Sequence, residues 1–402
     1  MFRHYLLLLA RPGVRSALIL NIVGRLPNGM AILALALLFR HSGMDFTLAG
    51  GLVALYGVGT ATGGPVLGRL VDYYGQPLVL VGSGLASAAA FVWIALDPTG
   101  PLAVVAVLTF FSGALTPPLE AGLRSLWPDL VPDEAQRETA YSLDATLQEL
   151  IFVTAPLLVA LVAAIYYPMH AVLATAAITL LGAIAFASLG PVRRWRTVPR
   201  TTNWLGPLME PRVRQVVACF LFVGAALGVL AIAAIAYAEE AGNPDLSGLL
   251  LAANGGGAMV GGLSYGLLTP PRRPVRRFRV LLAGLALCYV PLLLAPPPVL
   301  MAGLFFTAGV FLAPVLACTF GLLHRIAPSG TSTEAFAWLV SMFTLGSAGG
   351  TSLAGFGAEV IGARGALGVA VIAVAAACLL SLRVRTVVVE PRPEAAPTSD
   401  RT

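Results

Sequence analysis

The chain has 402 residues, of which 58% are hydrophobic and only 11% are charged, and its mean hydropathy is +0.86. A soluble domain carries roughly 25% charged residues, so this composition cannot cover a water-facing surface. The net charge of +6 comes from arginines without a single lysine, and these lie between apolar segments rather than in one nucleic-acid-binding patch. The composition therefore indicates a polytopic membrane protein.

Twelve apolar segments of membrane-crossing length follow one another along the chain. Because about 20 apolar residues span a bilayer as a helix, they predict an all-α protein with twelve transmembrane helices. The apolar run Leu6–Ala10 is too short for a signal-peptide core, so we expect the first span to be an uncleaved insertion signal. The predicted spans are residues 14–39, 46–67, 78–96, 102–123, 139–164, 169–189, 213–238, 246–267, 278–295, 299–323, 332–358 and 365–382.

The arginines lie almost entirely on one side of the predicted spans. With both termini on that side, only Arg40 and Arg364 fall on the other side, and Arg25 lies within the first span. Because basic loops stay in the cytoplasm, we expect a multi-pass protein of the cell membrane (inner or plasma membrane) with both termini cytoplasmic.

The two halves of the chain repeat each other. Gly113 and Pro118 match Gly309 and Pro314, five residues apart in both halves. Such a parallel repeat predicts two pseudo-symmetric six-helix bundles. The predicted organisation is a first bundle at 1–190, a basic cytoplasmic linker at 191–212, a second bundle at 213–382 and a disordered cytoplasmic tail at 383–402.

The loop between the second and third spans carries the pattern G-x-x-x-D-x-x-G. It consists of Gly68, Asp72 and Gly75, with Arg69 inside it. In this loop of a twelve-span chain, the pattern resembles the signature of the major facilitator superfamily of secondary transporters. The corresponding stretch of the second half, Gly262–Gly266, has lost the aspartate.

The resemblance implies roles for this gating loop in alternating access. Gly68 is expected to let the second and third spans pack closely, and Asp72 to contact the start of span 11 near Ser332. A carboxylate at the positive end of a helix is physically favourable. Basic residues that family members usually carry after the aspartate are replaced here, by Tyr73, Gln76 and Pro77, so Arg69 is the expected substitute.

The stretch from Pro117 to Pro128, followed by Pro156, is similar to poorly characterised bacterial exporter-like members of the superfamily. Proton-driven exporters often carry an arginine within span 4. We expect that arginine to be absent here, because the region holds Thr109, Phe110 and Phe111.

Charged residues inside the membrane are the strongest indicators of a site, because each costs about 2.5–3.5 kcal/mol at the helix centre. Arg25 and Glu149 lie about equally deep in predicted spans 1 and 5, at 1.5 Å per residue. We predict that they form an ion pair facing the central cavity, with an inert structural pair as the alternative.

Further polar residues complete the predicted substrate or proton pathway. Glu120 is expected to pair with Arg124 one turn on, as a surface pair, with a contact to the gating loop as the alternative. The triple glycine after Asn254 indicates close helix packing, with a flexible gate as the alternative. The remaining candidates are Asn21 and Asn28 on span 1 and Asp144 and Gln148 on span 5.

These observations favour a secondary active transporter working by alternating access. Our leading hypothesis is proton-coupled efflux of a small hydrophobic or amphipathic compound, which the aromatics Phe220, Phe222, Phe305 and Phe306 of the neutral second half would suit. The alternatives are a sugar or metabolite facilitator or importer, and a transport-inactive membrane sensor or scaffold.

Other classes of function are not supported by any pattern in the sequence. No nucleophile–base pairing, metal-ligand spacing or phosphate loop is visible, which argues against an enzyme and an ATP-driven pump. We therefore expect no cofactor and no metal, and partners limited to a small-molecule substrate, protons and the lipid bilayer. A monomer is expected, without nucleic acid.

Overall fold

A computed structural model describes residues 3–195, 206–243, 245–269, 271 and 273–385. Parts of the predicted linker (196–205) and tail (386–402) lie outside the described residues. The helices are α1 Arg3–Leu9, α2 Val14–His41, α3 Phe46–Tyr74, α4 Gln76–Leu96, α5 Leu102–Ala114, α6 Leu119–Leu130, α7 Glu134–Ile165, α8 Pro168–Ala187, α9 Gly190–Arg194, α10 Pro211–Glu240, α11 Asp245–Tyr265, α12 Pro274–Tyr289, α13 Pro298–Ile326, α14 Ser332–Ile361 and α15 Ala363–Ser381, with 3₁₀ turns at Gly206–Met209 and Val290–Leu294.

The twelve predicted spans are confirmed as helices. Ten of them, counting α5 and α6 together, are long and apolar enough to cross a membrane within the described residues. The other two are α3 and α14, with 29 and 30 residues. These two helices pack on each other across the two halves of the chain, so part of their surface faces protein instead of lipid.

Span 4 is broken in the middle, although the sequence predicts one continuous helix there. The helix α5 ends at Ala114, and α6 begins at Leu119 after the pair Pro117-Pro118. Proline lacks an N–H and disfavours helical backbone in the residue before it. The break leaves the first turn of α6, which carries Glu120, in the interior of the protein.

The internal repeat is visible in how glycines pack. Gly59 and Gly63 of α3 lie against the α5 backbone so closely that a Cβ would overlap it. Gly257 and Gly261 of α11 do the same against α13. Each half therefore joins its second and fourth spans through the same kind of glycine contact, which favours the two-bundle organisation.

Both ends of the described chain, Arg3 and Arg385, lie on one side of the bundle, which we call the terminal side. Hydrogen bonds, ion pairs and ring contacts join the halves at this side, where α3 meets α14 and α7 meets α11 and α13. One continuous core there combines Trp127 of the first half with Phe320 of the second. The structure is closed at the terminal side.

Candidate functional site

A buried cluster of charged and polar side chains lies within the first half, between α2, α6 and α7. We call it the charge cluster. It contains two guanidiniums, two carboxylates and two amides, from Asn21, Arg25, Glu120, Arg124, Asp144 and Gln148. Two positive and two negative groups cancel, so the cluster carries no formal net charge.

Each of the two carboxylates forms ion pairs with both arginines. Asp144 accepts from Arg25 through Oδ1 at 2.6 Å and from Arg124 through Oδ2 at 2.7 Å. Glu120 Oε1 lies 2.6 Å from Arg124 and 3.4 Å from Arg25. The amide oxygen of Gln148 accepts from both guanidiniums, at 3.0 and 2.8 Å. Each buried charge thus has opposite charges beside it, which offsets the cost of removing it from water.

The broken span positions the acidic side of the cluster. Glu120 lies in the first turn of α6, where a carboxylate is favoured by the helix dipole. Asn21 of α2 donates to the Leu119 carbonyl at 2.7 Å and so fixes α2 against the start of α6. Gly24 lets α2 approach Gly182 of α8 closely, which keeps Arg25 aimed inward.

The predicted ion pair between Arg25 and Glu149 is wrong. The helix α7 begins at Glu134, five residues before the predicted span, so the residue at the depth of Arg25 is Asp144. Glu149 lies about 140° around the helix from Asp144 at 100° per residue. It is half-buried and forms no ion pair or hydrogen bond within the described part of the chain.

Two other predicted pathway residues lie apart from the cluster. Asn28 is half-buried on α2 and has no hydrogen bond among the described residues. Asn254 donates to the Phe305 carbonyl at 3.0 Å, and its own backbone packs against Gly309. In the triple glycine only Gly257 makes a close backbone contact, so close packing is confirmed at that position.

Arg124 lies in the interior of the protein, although its spacing from Glu120 predicts an exposed pair. Its pair with Glu120 is confirmed, but both side chains are buried, so the expected surface pair is wrong. The region of Thr109 to Phe111 carries no arginine, but span 4 continues past the break to Leu130 and so includes the buried Arg124. The double proline before α6 was the available signal.

The gating loop forms a contact with α14 that we call the α3–α14 gate. The Asp72 carboxylate accepts from the backbone N–H groups of Thr333 and Glu334 at 3.2 and 2.9 Å. This agrees with the expected contact to span 11. Arg69 pairs with the buried Glu334 at 2.6 Å.

The predicted role of Gly68 needs correction. It faces α14 and not the third span, because a Cβ there would lie 2.9 Å from Ala337 Cβ and 3.0 Å from Glu334 Cα. Gly75 separates α3 from α4 with φ 88° and ψ 160°, a conformation nearly confined to glycine. One glycine therefore permits the contact between halves, and the other permits the turn.

A second contact between the halves, the α7–α11 gate, has different chemistry. The hydroxyl of Ser142 donates to the Gly262 carbonyl, and that of Thr139 donates to the Gly266 carbonyl at 2.8 Å. Tyr5 of α1 donates to the Leu263 carbonyl at 2.7 Å. These hydroxyls bind carbonyls at and just beyond the end of α11, where helix carbonyls accept few hydrogen bonds from their own helix. The Gly262 carbonyl also accepts from the Gly266 N–H at 3.2 Å.

One ion-pair group accompanies the α7–α11 gate. Arg325 of α13 lies 2.5 Å from Glu134 and 3.1 Å from Glu138, both in the first turns of α7. Glu134 is half exposed, whereas Glu138 is buried against Gly321. Both gates thus close the terminal side, one mainly through charge and the other mainly through neutral hydrogen bonds.

The fold and these gates define a twelve-helix membrane transporter, and the comparison with protein families agrees. The model of the Major Facilitator Superfamily matches residues 17–328 and again 216–401. The chain belongs to this superfamily of secondary transporters. No curated protein matches the sequence.

Solved structures share the fold at low identity. A bacterial homologue of the iron transporter ferroportin in an outward-facing state is 14% identical, with a TM-score of 0.73 over 92% of this chain and 98% of that one. The human organic anion transporter MFSD10 is 17% identical, with a TM-score of 0.70 over 92% and 100%. The E. coli fucose:proton symporter is 14% identical, with a TM-score of 0.67 over 92% of this chain and 98% of the symporter.

Proposed function

We propose that this transporter couples alternating access to proton movement and exports a small hydrophobic or amphipathic compound. The observation that carries the proposal is Glu149, a carboxylate within α7 that has no charged partner among the described residues. An unpaired charge inside a membrane is costly, so a proton on Glu149 removes that cost and its release restores it.

The charge cluster supports assigning this role to Glu149. Asp144 and Glu120 each lie against two arginines, so protonating either would leave buried positive charge uncompensated. Gln148 links the two environments, because it binds both guanidiniums and is the neighbour of Glu149 in the chain. Glu149 can therefore be protonated and deprotonated while the ion pairs of the charge cluster stay intact.

The second half supplies an apolar side to the cavity in this proposal. Its described charged side chains lie near the ends of the helices, as at Arg214 and Glu239 of α10. Phe220 and Phe305 are core residues and unavailable to a ligand, whereas Phe222 is partly buried and Phe306 is 37% exposed. An apolar or amphipathic compound suits this surface better than a sugar, which needs several hydrogen-bonding groups.

The remaining expectations belong to the same proposal. The protein acts as a monomer in the cell membrane with its terminal side in the cytoplasm. Residues 1–190 and 213–382 move as two bundles about the linker 191–212, with 383–402 as a tail. The gating loop and the α7–α11 gate then close the cytoplasmic entrance, and Asn28 and Glu149 lie along the pathway.

The test is a flux experiment in vesicles. The purified protein is reconstituted, and a dye reports lumenal pH while a panel of lipophilic cations and neutral apolar compounds is added. Wild type is compared with Glu149→Gln and with Glu239→Gln, whose carboxylate is exposed at the far end of α10. We expect proton movement only when a suitable compound is present. It should persist in Glu239→Gln and disappear in Glu149→Gln.

Two outcomes would overturn the proposal. Compound flux without proton movement, equal in all three proteins, would make the protein a facilitator. Proton movement that survives Glu149→Gln would move the coupling group elsewhere, with the charge cluster as the next candidate.

A further inference from the structure

An aromatic group separates the charge cluster from the terminal side, and it comes from both halves. Tyr141 of α7 lies 6.3 Å from Phe320 of α13 and 6.4 Å from Phe336 of α14, ring centre to ring centre. The two phenylalanines pack edge to face at 6.4 Å. All three are fully buried. Since Tyr141 precedes Ser142 and Phe336 lies one turn beyond Thr333, the group sits between the two gates.

One member of this group touches the charge cluster directly. The guanidinium carbon of Arg124 lies 3.5 Å from the centre of the Phe320 ring. A guanidinium over an aromatic face is held by the negative charge of the ring surface, and the attraction is greatest when water is excluded. Among the described residues the ionic partners of Arg124 belong to the first half, so Phe320 provides a direct contact of the second half with the cluster.

The helix α6 also links the cluster to the α3–α14 gate. Ser125, next to Arg124, accepts a hydrogen bond from Thr333 at 3.1 Å and another from Gln76 at 3.2 Å. Its own hydroxyl donates to the Gly122 carbonyl at 2.9 Å. Thr333 is one of the two residues whose N–H groups bind Asp72. Adjacent residues of one short helix therefore contact the cluster and the gate.

We propose that Phe320 is a positioning residue for the transport cycle. Its ring holds the Arg124 guanidinium against Asp144 and Glu120 while the terminal side is closed, so that the charge cluster itself stabilises the closed state. When the halves separate at the terminal side, α13 carries the ring away and the guanidinium gains water. The weaker attraction of charges in water then loosens α6 and its contact with Thr333.

This inference rests on alternating access from the proposed function, but not on proton coupling, on Glu149 or on the direction of transport. Its test therefore reads the closed state directly and needs no substrate. A flux experiment that fails for want of the right compound leaves the test intact.

The experiment replaces Phe320 with phenylalanines carrying one, two and three ring fluorines, introduced by stop-codon suppression. Fluorine withdraws electron density from the ring face, which weakens its attraction for a cation, and it changes the shape of the ring little. The matched control is the same series at Phe336, which is equally buried in the aromatic group. Hydrogen exchange is measured by mass spectrometry in lipid nanodiscs, for residues 332–340 at the gate and 119–130 in α6.

We expect exchange in both segments to become faster with each fluorine added at Phe320, by about tenfold or more across the series. The same series at Phe336 should show no trend. Exchange that is unchanged at Phe320, or that rises equally at both positions, would reduce Phe320 to an apolar plug and overturn the inference. Phe320→Leu, which keeps apolar volume without a ring face, should match or exceed the most fluorinated protein. Thermal melting of each variant confirms that the fold is retained.

Discussion

The two gates close the same side of the molecule from equivalent positions of the internal repeat, yet they bind opposite ends of helices. At the α3–α14 gate, a carboxylate of the first half accepts from the free N–H groups that begin α14. At the α7–α11 gate, hydroxyls of the first half donate to the carbonyls that end α11. Gly68 and Asp72 of α3 have Gly262 and Gly266 of α11 as their counterparts.

The difference explains how the second half could lose its aspartate without losing closure. A helix start is positive and takes a carboxylate, whereas a helix end is negative and takes a donor. Serine and threonine hydroxyls satisfy the second need without any charge. The first gate should therefore respond to charge removal, and the second should respond to loss of single hydrogen bonds and little to salt.

The largest expected effect is from Gly68→Ala, because the new methyl would meet α14 backbone and not a movable side-chain end. Overpacking costs about 1–3 kcal/mol and occasionally more. Backbone atoms of Thr333 and Glu334 only 3.0 Å from the new methyl place Gly68→Ala at or above the upper end of that range, all of it in the closed state. Spin labels attached to ketone-bearing residues at the exposed positions Tyr74 and Leu268 should report a longer mean distance across the terminal side.

Gly57→Ala is the control for Gly68→Ala, since it lies on the same helix and a Cβ there meets nothing within 4 Å. If both substitutions give the wild-type distance, the close approach of Gly68 to α14 does not govern closure. Gly262→Ala should be milder than Gly68→Ala, because its nearest neighbour is the hydroxyl of Thr146, which can rotate away.

Next in size is Asp72→Asn, which removes the charge and keeps the shape. Hydrogen bonds to charged groups contribute about 1.5–3 kcal/mol, so amide exchange at Thr333 and Glu334 should accelerate by roughly tenfold or more. Asp45→Asn is the matched control, because Asp45 caps the start of α3 at the opposite side by accepting from Leu48 N at 2.7 Å. Acceleration confined to Asp45→Asn would refute the charged gate.

The twelve spans could be predicted from local hydropathy, whereas the contact of Asp72 with α14 was implied by the resemblance of the gating loop to the superfamily signature. Hydropathy sets the spans, and the unpaired N–H groups at Ser332–Glu334 need an acceptor. The pairing of Arg25 with Asp144 was beyond reach, because it depends on the start of α7. A five-residue error there moved the matching depth from Asp144 to Glu149.

The importance of Arg124 and Phe320 was equally hidden. Arg124 follows Glu120 by four residues, which in isolation is typical of an exposed pair, and only the break at Pro117-Pro118 turns it inward. Phe320 is one of many aromatics in the apolar second half. Its contact with a cation of the first half is a property of the two bundles together.

A smaller effect is expected from Ser142→Ala at the α7–α11 gate. Loss of one neutral buried hydrogen bond costs about 1 kcal/mol, so exchange in residues 262–268 should accelerate about fivefold, equally at low and high salt. Ser188→Ala serves as control, since that hydroxyl bonds only within its own region, to the Ala185 carbonyl at 2.7 Å. Equal acceleration in both variants would show a general loosening instead of an opened gate.

The smallest effect should come from Glu134→Gln, which sharpens the comparison by testing whether charge matters at the second gate. Glu134 is 51% exposed, and Arg325 keeps its other partner Glu138, so the loss should stay within the range of about 0.2–1 kcal/mol measured for exposed pairs. Screening at 1 M salt, where the Debye length is about 3 Å, should erase the difference from wild type in the spin-label distance. A large opening that persists at 1 M salt would mean that this ion pair, and not the hydroxyl–carbonyl bonds, closes the α7–α11 gate. The two gates would then share one charge-based principle, and the lost aspartate would have been replaced in kind by Glu134.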